Sequence, residues 1–410
     1  MIERQLAVIL YKNHLLSAVF QGNELYDIIV EPSEAEQTIA TGDIYLAKVK
    51  NVVPNIQAAF LEVTKNNMCY LPLKKEEFSE VMQGMEFPVQ IIKPAVKSKQ
   101  PVCSRKLELA GMYAVITTDI TTKNISKKIN DSSQRERMER ILSQFAGEEY
   151  GMILRTTCQN ASDDAIIKEC HALLEQMREL RKKAPHRTCF SKLYGAEREL
   201  VKYIKASGNH YFDRIITDQK GIFEELKKDP QLKEETICFY EDNYPLDKLL
   251  GISSKLEKCF KKHVWLKSGG SLVIEPTEAL TVIDVNTEKA VQGKRNKEHT
   301  FFKRNKEHTF FKLNKEAAVE AARQMRLRNL SGIILIDFID MEESAHVEEL
   351  LKLLEQEMEK DRVPAKVIDM TALGLVEITR KKVRKPLYEL LGKGKGGTYE
   401  LLENLDSEER

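Results

Sequence analysis

One apolar run constrains this chain more than any other stretch: residues 333–339, IILIDFI, place an aspartate inside a segment that otherwise belongs in a protein interior. Such a run predicts a central β-strand covered on both faces. A carboxylate is costly to bury without a partner, so the acids of this region need an explanation. Asp340 has a structural one, because it opens the Asp-x-x-Glu pattern of a capping box and predicts the start of a helix over 341–360. Asp337 lies inside the strand and has no such role.

A second strand repeats this pattern of acids at a strand end. Residues 271–287, SLVIEPTEALTVIDVNT, predict a hairpin that turns at Pro276 and Thr277. Asp284 and Asn286 are two positions apart, so both side chains leave the same face, roughly 6–7 Å apart along the strand. Two carboxylates and an amide at the ends of neighbouring strands suit Mg²⁺, which prefers oxygen ligands. The pattern equally allows each aspartate to cap a loop amide on its own.

Composition narrows the class of protein. The chain has 410 residues, which is enough for about two to four domains. Apolar residues make up 42% and charged residues 31%, and the net charge of +1 does not by itself indicate a polyanionic partner. No apolar run reaches the roughly 18 residues of a membrane span. Seven scattered cysteines without a CxxC pair indicate reduced thiols, so we expect a cytoplasmic protein. HExxH, GxSxG and P-loop motifs are absent from the sequence.

The predicted secondary structure changes from one segment of the chain to the next. Residues 1–31 predict a small antiparallel sheet, and five short strand candidates between 42 and 110 predict a Greek-key barrel of the OB type. Residues 111–200 mix strands with a charged helix at 161–183, and 201–260 form another mixed α/β piece. A helix is expected over 315–330, ended by Ser331 and Gly332.

A tandem repeat interrupts the second half. The segment KRNKEHTFF at 294–302 occurs again without change at 303–311. Each copy would make about two and a half helical turns, so two copies in one helix would place matching side chains on opposite faces. We therefore expect a surface loop or flexible extension. Two interpretations stay open: a duplication without function, and an additional basic, aromatic contact to a substrate.

The chain resembles the ribonuclease E/G family of bacterial endoribonucleases, in its short form without a long scaffold tail. The resemblance covers about residues 1–386 and rests on five stretches in order: GDIYLAKVKNVVPNIQAAFLEV, GMILRTT, SGGSLVIEPTEALTVIDVNT, ARQMRLRNLSGIILIDFIDM and GLVEITRKKVRKPL. It implies an α/β architecture of several subdomains, in which an OB barrel and a 5′-sensor interrupt an RNase H-like subdomain and a deoxyribonuclease-I-like catalytic subdomain follows. The implied boundaries are 1–38 and 198–260 for the RNase H-like subdomain, 39–110 for the barrel, 111–197 for the 5′-sensor, 261–386 for the catalytic subdomain and 387–410 for a C-terminal tail.

The resemblance also implies a chemistry. The family cuts single-stranded RNA with Mg²⁺, or Mn²⁺ in its place, and leaves 5′-phosphate ends. Its two metal-binding catalytic aspartates correspond to Asp284 and Asp337, and its assisting asparagine corresponds to Asn286. The remaining implied roles fall into two sets: RNA binding by Phe60, Tyr70 and Lys99, and 5′-phosphate sensing by Gly111, Val115, Arg155 and Thr156.

The expected partners are single-stranded RNAs, namely rRNA precursors and mRNA. Many family members share a zinc ion between two chains through a CPxC pair, but no cysteine follows Cys259 here, so neither zinc nor a zinc-linked dimer is expected; a homodimer held by other contacts stays open. The leading hypothesis is therefore a Mg²⁺-dependent endoribonuclease of rRNA processing and mRNA decay. The alternatives are a non-catalytic RNA-binding protein that keeps the barrel and, with less support from the aromatic and basic barrel, a small-molecule phosphoesterase.

Overall fold

The computed structural model describes residues 3–31, 39–93, 95, 100–208, 211–229, 231–287 and 299–392, with the backbone alone for 299–305. The strands are β1 (Arg4–Tyr11), β2 (His14–Gln21), β3 (Glu24–Glu31), β4 (Ile44–Val53), β5 (Ala58–Thr64), β6 (Asn67–Pro72), β7 (Glu86–Lys93), β8 (Val102–Ser104), β9 (Glu108–Ala110), β10 (Ala114–Thr117), β11 (Lys123–Ile125), β12 (Gly151–Leu154), β13 (Lys192–Tyr194), β14 (Arg214–Thr217), β15 (Ile237–Phe239), β16 (His263–Trp265), β17 (Ser271–Pro276), β18 (Leu280–Asn286), β19 (Gly332–Asp337), β20 (Ala365–Met370) and β21 (Leu375–Arg380). The helices are α1 (Ser132–Ser143), α2 (Asp163–Lys183), α3 (Glu199–Ser207), α4 (Lys220–Lys228), α5 (Leu246–Leu250), α6 (Ile252–Lys258), α7 (His299–Leu327), α8 (Ser344–Glu359) and α9 (Leu387–Leu391).

The chain divides into two compact units, each built from separated segments. The first unit lies within Met1–Pro32, Phe212–Glu224 and Thr236–Arg410, and the second within Ser33–Tyr211 and Glu225–Glu235. Within the described part of the chain, no helix combines the length and apolar character needed to cross a membrane.

The first unit contains a five-stranded sheet that joins distant parts of the chain, in the order β15-β14-β1-β2-β3. The antiparallel arrangement expected for β1 to β3 is confirmed. Strand β14 then pairs with β1 in parallel, so the N-terminal hairpins are completed by residues from beyond position 211. Their apolar face packs against α5, α6 and α9.

The first unit also holds a six-stranded sheet that carries the acids of interest, in the order β16-β17-β18-β19-β21-β20. The expected hairpin is confirmed as β17 and β18, which turn through residues 277–279. Strand β19 lies parallel to β18 and antiparallel to β21, and is therefore central, as expected. One face of the sheet packs against α7 and α8 around Ile283, Ile334 and Ile336.

The opposite face of β19 corrects one expectation. Both faces were expected to be covered, but Ile333 is 55% exposed, Leu335 is only half-buried and Asp337 is exposed. The alternation of burial along β19 shows that helices cover only the face of Ile334 and Ile336. The face that carries Asp337 is open to solvent within the described part of the chain.

The second unit contains a closed barrel of the kind expected for an OB-like subdomain. Strands β4, β5, β6, β8 and β7 follow one another around it, and β7 returns to pair with β4. The fifth strand candidate splits in two, because β8 belongs to the barrel whereas β9 joins the neighbouring sheet β11-β12-β10-β9. Helices α1 and α2 cover that sheet; α2 was expected, and α1 was not.

Helix α7 corrects two further expectations. It runs from His299 to Leu327, so the second copy of the repeat, 303–311, is helical and does not form a loop. Most of the first copy lies outside the described residues. The helix ends before Ser331 in a Schellman motif: Asn329 adopts φ 49°, and the N–H of Leu330 donates to the carbonyl of Met325 at 3.0 Å.

Candidate metal centre and RNA interface

Asp284 and Asp337 occupy the same register position on two adjacent parallel strands. Asp284 on β18 is the direct partner of Asp337 on β19, with Val282 opposite Leu335 two positions earlier. Neighbouring strands lie about 4.8 Å apart and register partners face the same side of a sheet, so the two carboxylates lie side by side. The structure thereby brings together two residues that are far apart in sequence.

Both carboxylates lack a cationic partner among the described residues. Neither Asp284 nor Asp337 forms a salt bridge with a lysine, arginine or histidine of that part of the chain. The only hydrogen bond to the Asp284 carboxylate within it comes from Asn286, whose Nδ2 donates to Oδ2 at 2.8 Å. This bond fixes the orientation of the Asp284 carboxylate. Two adjacent acids with an amide beside them, and with no positive side chain paired to them among the residues that the structure describes, provide the hard oxygen donors that Mg²⁺ takes.

Burial and the acidic neighbours of Asp337 both disfavour ionisation of its carboxyl group. Partial burial, together with the negative charges of Asp284 and Asp340, raises the pKa of Asp337 above its ordinary value. A divalent cation between the carboxylates would remove this repulsion. The described residues contain no group of three or more histidine, cysteine, aspartate or glutamate side chains arranged around a metal ion, so the candidate donor set is two carboxylates and one amide.

The loop that follows Asp337 is held by one face of helix α7. The fully buried Asn314 makes two hydrogen bonds to the backbone of Ile339: its Nδ2 donates to the carbonyl at 2.8 Å, and its Oδ1 accepts from the N–H at 3.1 Å. Two turns earlier on the same face, Glu307 accepts from the N–H groups of Glu342 and Glu343 at 3.2 and 3.3 Å.

Glu307 also explains why the expected helix cap is wrong. Helix α8 begins at Ser344 with Glu343 as its N-cap residue, and Asp340 lies in the preceding loop. Glu307 accepts a further hydrogen bond from Nδ1 of His346 at 3.0 Å, and His346 stacks on Phe311 with ring centroids 4.2 Å apart. Partial burial opposes ionisation of Glu307, but His346 and the two backbone N–H groups outweigh it and hold its pKa below the usual range.

The barrel carries the two aromatic candidates on its outer side. Phe60 on β5 and Tyr70 on β6 are cross-strand partners, with ring centroids 5.9 Å apart at an interplanar angle of 70°. Their neighbours Leu61 and Cys69 belong to the barrel core, so the two rings point away from it and are half-buried. Lys99 lies outside the described residues.

The 5′-sensor candidates surround the turn between β9 and β10. Arg155 donates from Nη1 to the carbonyl of Gly111 at 2.5 Å, and its own N–H donates to the carbonyl of Tyr113 at 2.7 Å. Thr156 follows directly, at the start of a short 3₁₀ turn after β12. Val115 lies in β10, where it pairs with Ile153 of β12. The structure therefore brings Arg155 against the turn at Gly111, with Thr156 adjoining.

A buried glutamate that the sequence analysis missed organises this turn. Glu169 of α2 accepts hydrogen bonds from the N–H groups of Met112, Tyr113 and Ala114 at 3.0, 2.6 and 2.9 Å. Burial raises its pKa despite these bonds. A Cβ atom at Gly111 would lie 2.4 Å from its Oε1, which explains why glycine is needed there. Glu169 lies in a charged helical segment, so nothing in its local sequence distinguishes it.

Comparison with known proteins places these residues in a family. The model of the ribonuclease E/G family matches residues 108–383, which include all of β18 and β19. The chain belongs to the ribonuclease E/G family. It is 31% identical to ribonuclease G of Escherichia coli strain K12 over 403 residues, which cover 91% of this chain and 79% of that protein. The family resemblance inferred from the sequence motifs is thus confirmed.

Other relatives extend the same result. Ribonuclease G of Haemophilus influenzae is 29% identical over 374 residues, covering 85% of this chain and 74% of that protein. Ribonuclease E of a Nostoc species is 28% identical over 404 residues, covering 94% of this chain but only 57% of that longer protein. The match therefore covers a larger share of these ribonuclease G chains than of this ribonuclease E chain.

Proposed function

We propose that this protein is an endoribonuclease that cleaves single-stranded RNA with a Mg²⁺ ion held by Asp284 and Asp337. Membership in the ribonuclease E/G family supports a hydrolase that cuts RNA internally. The observation that carries the metal assignment is the in-register carboxylate pair on an open sheet face, without a cationic partner among the described residues. Mn²⁺ would satisfy the same oxygen donors.

The two aspartates would share one task, which is to hold the metal ion. A bound Mg²⁺ would supply Lewis-acid polarisation of the scissile phosphate and lower the pKa of a water nucleophile. Asp284, oriented by Asn286, and Asp337 would hold it at the carboxyl ends of β18 and β19, where RNA reaches the open face. Attack by water on phosphorus that breaks the bond to the 3′-oxygen would leave a 5′-phosphate on one product and a 3′-hydroxyl, which takes up a proton, on the other.

The second unit would supply recognition of the RNA. Phe60 and Tyr70 present ring faces and edges outside the barrel, and flat rings stack on unpaired bases irrespective of sequence. Lys99 would pair with a phosphate. Arg155 and Thr156, beside the turn at Gly111, would bind a 5′-monophosphate through charge-assisted hydrogen bonds. Single-stranded regions of rRNA precursors and mRNA are the substrates we assign to such a surface.

A cleavage assay tests the proposal. A 5′-monophosphorylated, AU-rich oligonucleotide incubated with the protein and Mg²⁺ or Mn²⁺ should be cut internally, and EDTA should stop the reaction. The same oligonucleotide with a 5′-hydroxyl should be cut more slowly if the sensor residues act as assigned. Mass spectrometry of the products should show 5′-phosphate ends. Binding of the oligonucleotide without any cleavage in either metal would contradict the proposal and favour a non-catalytic RNA-binding protein.

Asp337→Asn separates these two functions directly. In an endoribonuclease the substitution removes turnover and leaves RNA binding intact, because the barrel is unchanged. In a protein that only binds RNA it alters neither. Asn286→Ala provides a graded comparison, since it removes the hydrogen bond to Asp284 without removing a carboxylate; loss of such a supporting contact typically costs about 10- to 100-fold.

A further inference from the structure

The only tryptophan of the chain lies on the sheet that carries the candidate metal centre, and the roles assigned so far do not use it. Trp265 is in β16, at the edge of the six-stranded sheet, and is 60% exposed. An indole is the largest apolar side chain, and water contact over most of its surface is unfavourable at roughly 25 cal/mol per Å². Among the described residues, its ring has no stacking partner and its N–H no acceptor.

Strand alternation assigns Trp265 to the open face. Val264 packs against the core between the sheet and its helices and is paired with the fully buried Leu272. The residue after Val264 in a strand points to the opposite side. Trp265 therefore lies on the same side as Asp284 and Asn286, away from α7 and α8.

Register gives the spacing between Trp265 and the candidate metal centre. Trp265 is the partner of Ser271 on β17, and Ser271 is the partner of Asn286 on β18. Two strand spacings of about 4.8 Å separate β16 from β18, so Trp265 lies on the order of 10 Å from the row of Asn286. The adjacent row contains His263, Val273, Asp284 and Asp337 in the same order across the sheet.

The charge of the surrounding segment suits a polyanion. Residues 261–267, KKHVWLK, contain three lysines and no acid, and one of the lysines, Lys262, is paired with Glu275 of β17. Lys267 is exposed, and His263 is exposed on the same side of β16 as Trp265. An aromatic ring with lysines beside it is the combination that binds single-stranded nucleic acid, with the ring on a base and the ammonium groups on phosphates.

We propose that Trp265 stacks on an unpaired base of the RNA substrate, next to the nucleotide whose phosphodiester lies at Asp284 and Asp337. This inference rests on the proposed function, since it assigns the RNA path across the same sheet face. The ligand is single-stranded RNA; a duplex keeps its bases stacked on one another and offers no free base face. Trp265 would thus set where the chain enters or leaves the cleavage site, apart from the barrel.

The sole tryptophan makes the test direct. Fluorescence excited selectively at tryptophan, at a wavelength where the 13 tyrosines do not absorb, reports on Trp265 alone. Titration with a short single-stranded oligoribonucleotide in EDTA should quench this emission in a saturable way, and a hairpin duplex should not. Trp265→Ala should weaken binding of a labelled oligonucleotide about 5- to 150-fold, the equivalent of the 1–3 kcal/mol that a base–aromatic stack is worth. Trp265→Phe, which keeps a ring, should restore most of the affinity.

Kinetics and a matched control complete the design. Because the indole lies outside the cross-strand row that contains Asp284 and Asp337, Trp265→Ala should raise KM and change kcat by less than about threefold. Tyr244→Ala removes another exposed aromatic of the same unit, 56% exposed, and should change neither value. Unquenched emission with RNA bound, or an affinity of Trp265→Ala within twofold of wild type, would overturn the inference. Quenching without any cleavage would leave the stacking site standing and overturn the proposed function instead.

Discussion

At the scale of single residues, the unfavourable electrostatic free energy of the candidate site is concentrated at Asp337. It stands on the open face beside Asp284 with Asp340 nearby, and its pKa is raised by partial burial and by both acids. Residues placed for catalysis often destabilise the protein that carries them. Under the proposed function the carboxylate pair is such a case, since its mutual repulsion is relieved by a bound cation or by protonation of Asp337.

Asp337→Asn should raise the thermal stability of the metal-free protein at neutral pH while lowering cleavage about 1,000-fold or more, since metal polarisation is worth several kcal/mol. A raised folded-state pKa means that the protonated form stabilises the fold below the ordinary value of 3.8, and that this contribution is lost as pH rises through the raised value. The melting temperature of Asp337→Asn should therefore exceed that of wild type by a margin that increases as the pH rises through the raised pKa. Melting temperatures in EDTA between pH 4 and pH 7 measure it.

Addition of Mg²⁺ is the control for this prediction. The ion should stabilise wild type at neutral pH and stabilise Asp337→Asn much less, because one ligand is missing. A variant that is less stable than wild type in EDTA at neutral pH would show that Asp337 has a structural partner.

Gly111 provides the second residue-scale prediction. Gly111→Ala should destabilise the second unit by about 1–3 kcal/mol, because the new methyl group would meet a carboxylate that three backbone N–H groups hold in place. Gly147→Ala is the matched control, since a Cβ there meets nothing within 4 Å. Urea unfolding followed by circular dichroism measures both. Equal stability of the two variants would mean that the turn moves freely away from Glu169.

At the scale of elements, helix α7 positions the loop that links β19 to α8. Glu307, Phe311 and Asn314 recur at intervals of four and three, so they share one face of the helix. Each contacts the loop or the first turn of α8: Glu307 and Asn314 bind backbone groups and Phe311 stacks on His346. The second repeat copy thus contributes a structural contact that its sequence did not reveal.

Glu307→Ala should expose the amides of Glu342 and Glu343 and lower cleavage about 10-fold, as expected when a supporting contact to a metal site is lost. Glu307→Gln should retain most activity, because its amide oxygen still accepts from a backbone N–H. Hydrogen exchange of the peptide spanning 339–346, with RNA cleavage alongside, measures the effect. Unchanged exchange in Glu307→Ala would contradict it.

Two control variants isolate this contact. Glu349→Ala removes an exposed α7–α8 ion pair to Lys315 and leaves the loop contacts in place, so its activity should stay near wild type. Deletion of one copy of the repeat yields the same sequence whichever copy is removed. A glutamate therefore remains at the same distance from Leu313, and loop protection should persist.

At the scale of the whole molecule, the candidate residues lie in two discontinuous units. The carboxylate pair belongs to the first unit, and the barrel and the turn at Gly111 belong to the second. Binding of a metal ion to the first should therefore stabilise it selectively.

Mg²⁺ at about 100 times its dissociation constant contributes about 2.7 kcal/mol to the state that binds it, or roughly a 100-fold slowing of exchange that requires that state to open. We expect this slowing at amides of β18 and β19 and no comparable change at β4 to β7. Hydrogen-exchange mass spectrometry with and without Mg²⁺ resolves the two units. Asp284→Asn should abolish the difference, and equal slowing in the barrel would contradict a single site in the first unit.

Local patterns in the chain are enough to specify the strongly periodic elements and the residue types of the candidate site. Alternation in 271–287 and the apolar run at 333–339 specify β17, β18 and β19, because a strand that buries one face must alternate with period two. The same alternation places Asp284 and Asn286 on one side. Family motifs supplied the remaining candidates, which local physics alone does not distinguish from core or surface residues.

Which of these groups come into contact depends on how distant parts of the chain pack together. The register that sets Asp284 opposite Asp337 depends on how β19 docks beside β18 after a long connection, and no local preference encodes it. Asp340 satisfied the sequence rule for a cap, yet α8 starts later because the carboxylate of Glu307 reaches the preceding amides. Glu169 likewise acquires its role from burial against a distant turn. Long-range hydrogen bonds and charge contacts are properties of packing, so a linear pattern shows the groups available and the fold determines their partners.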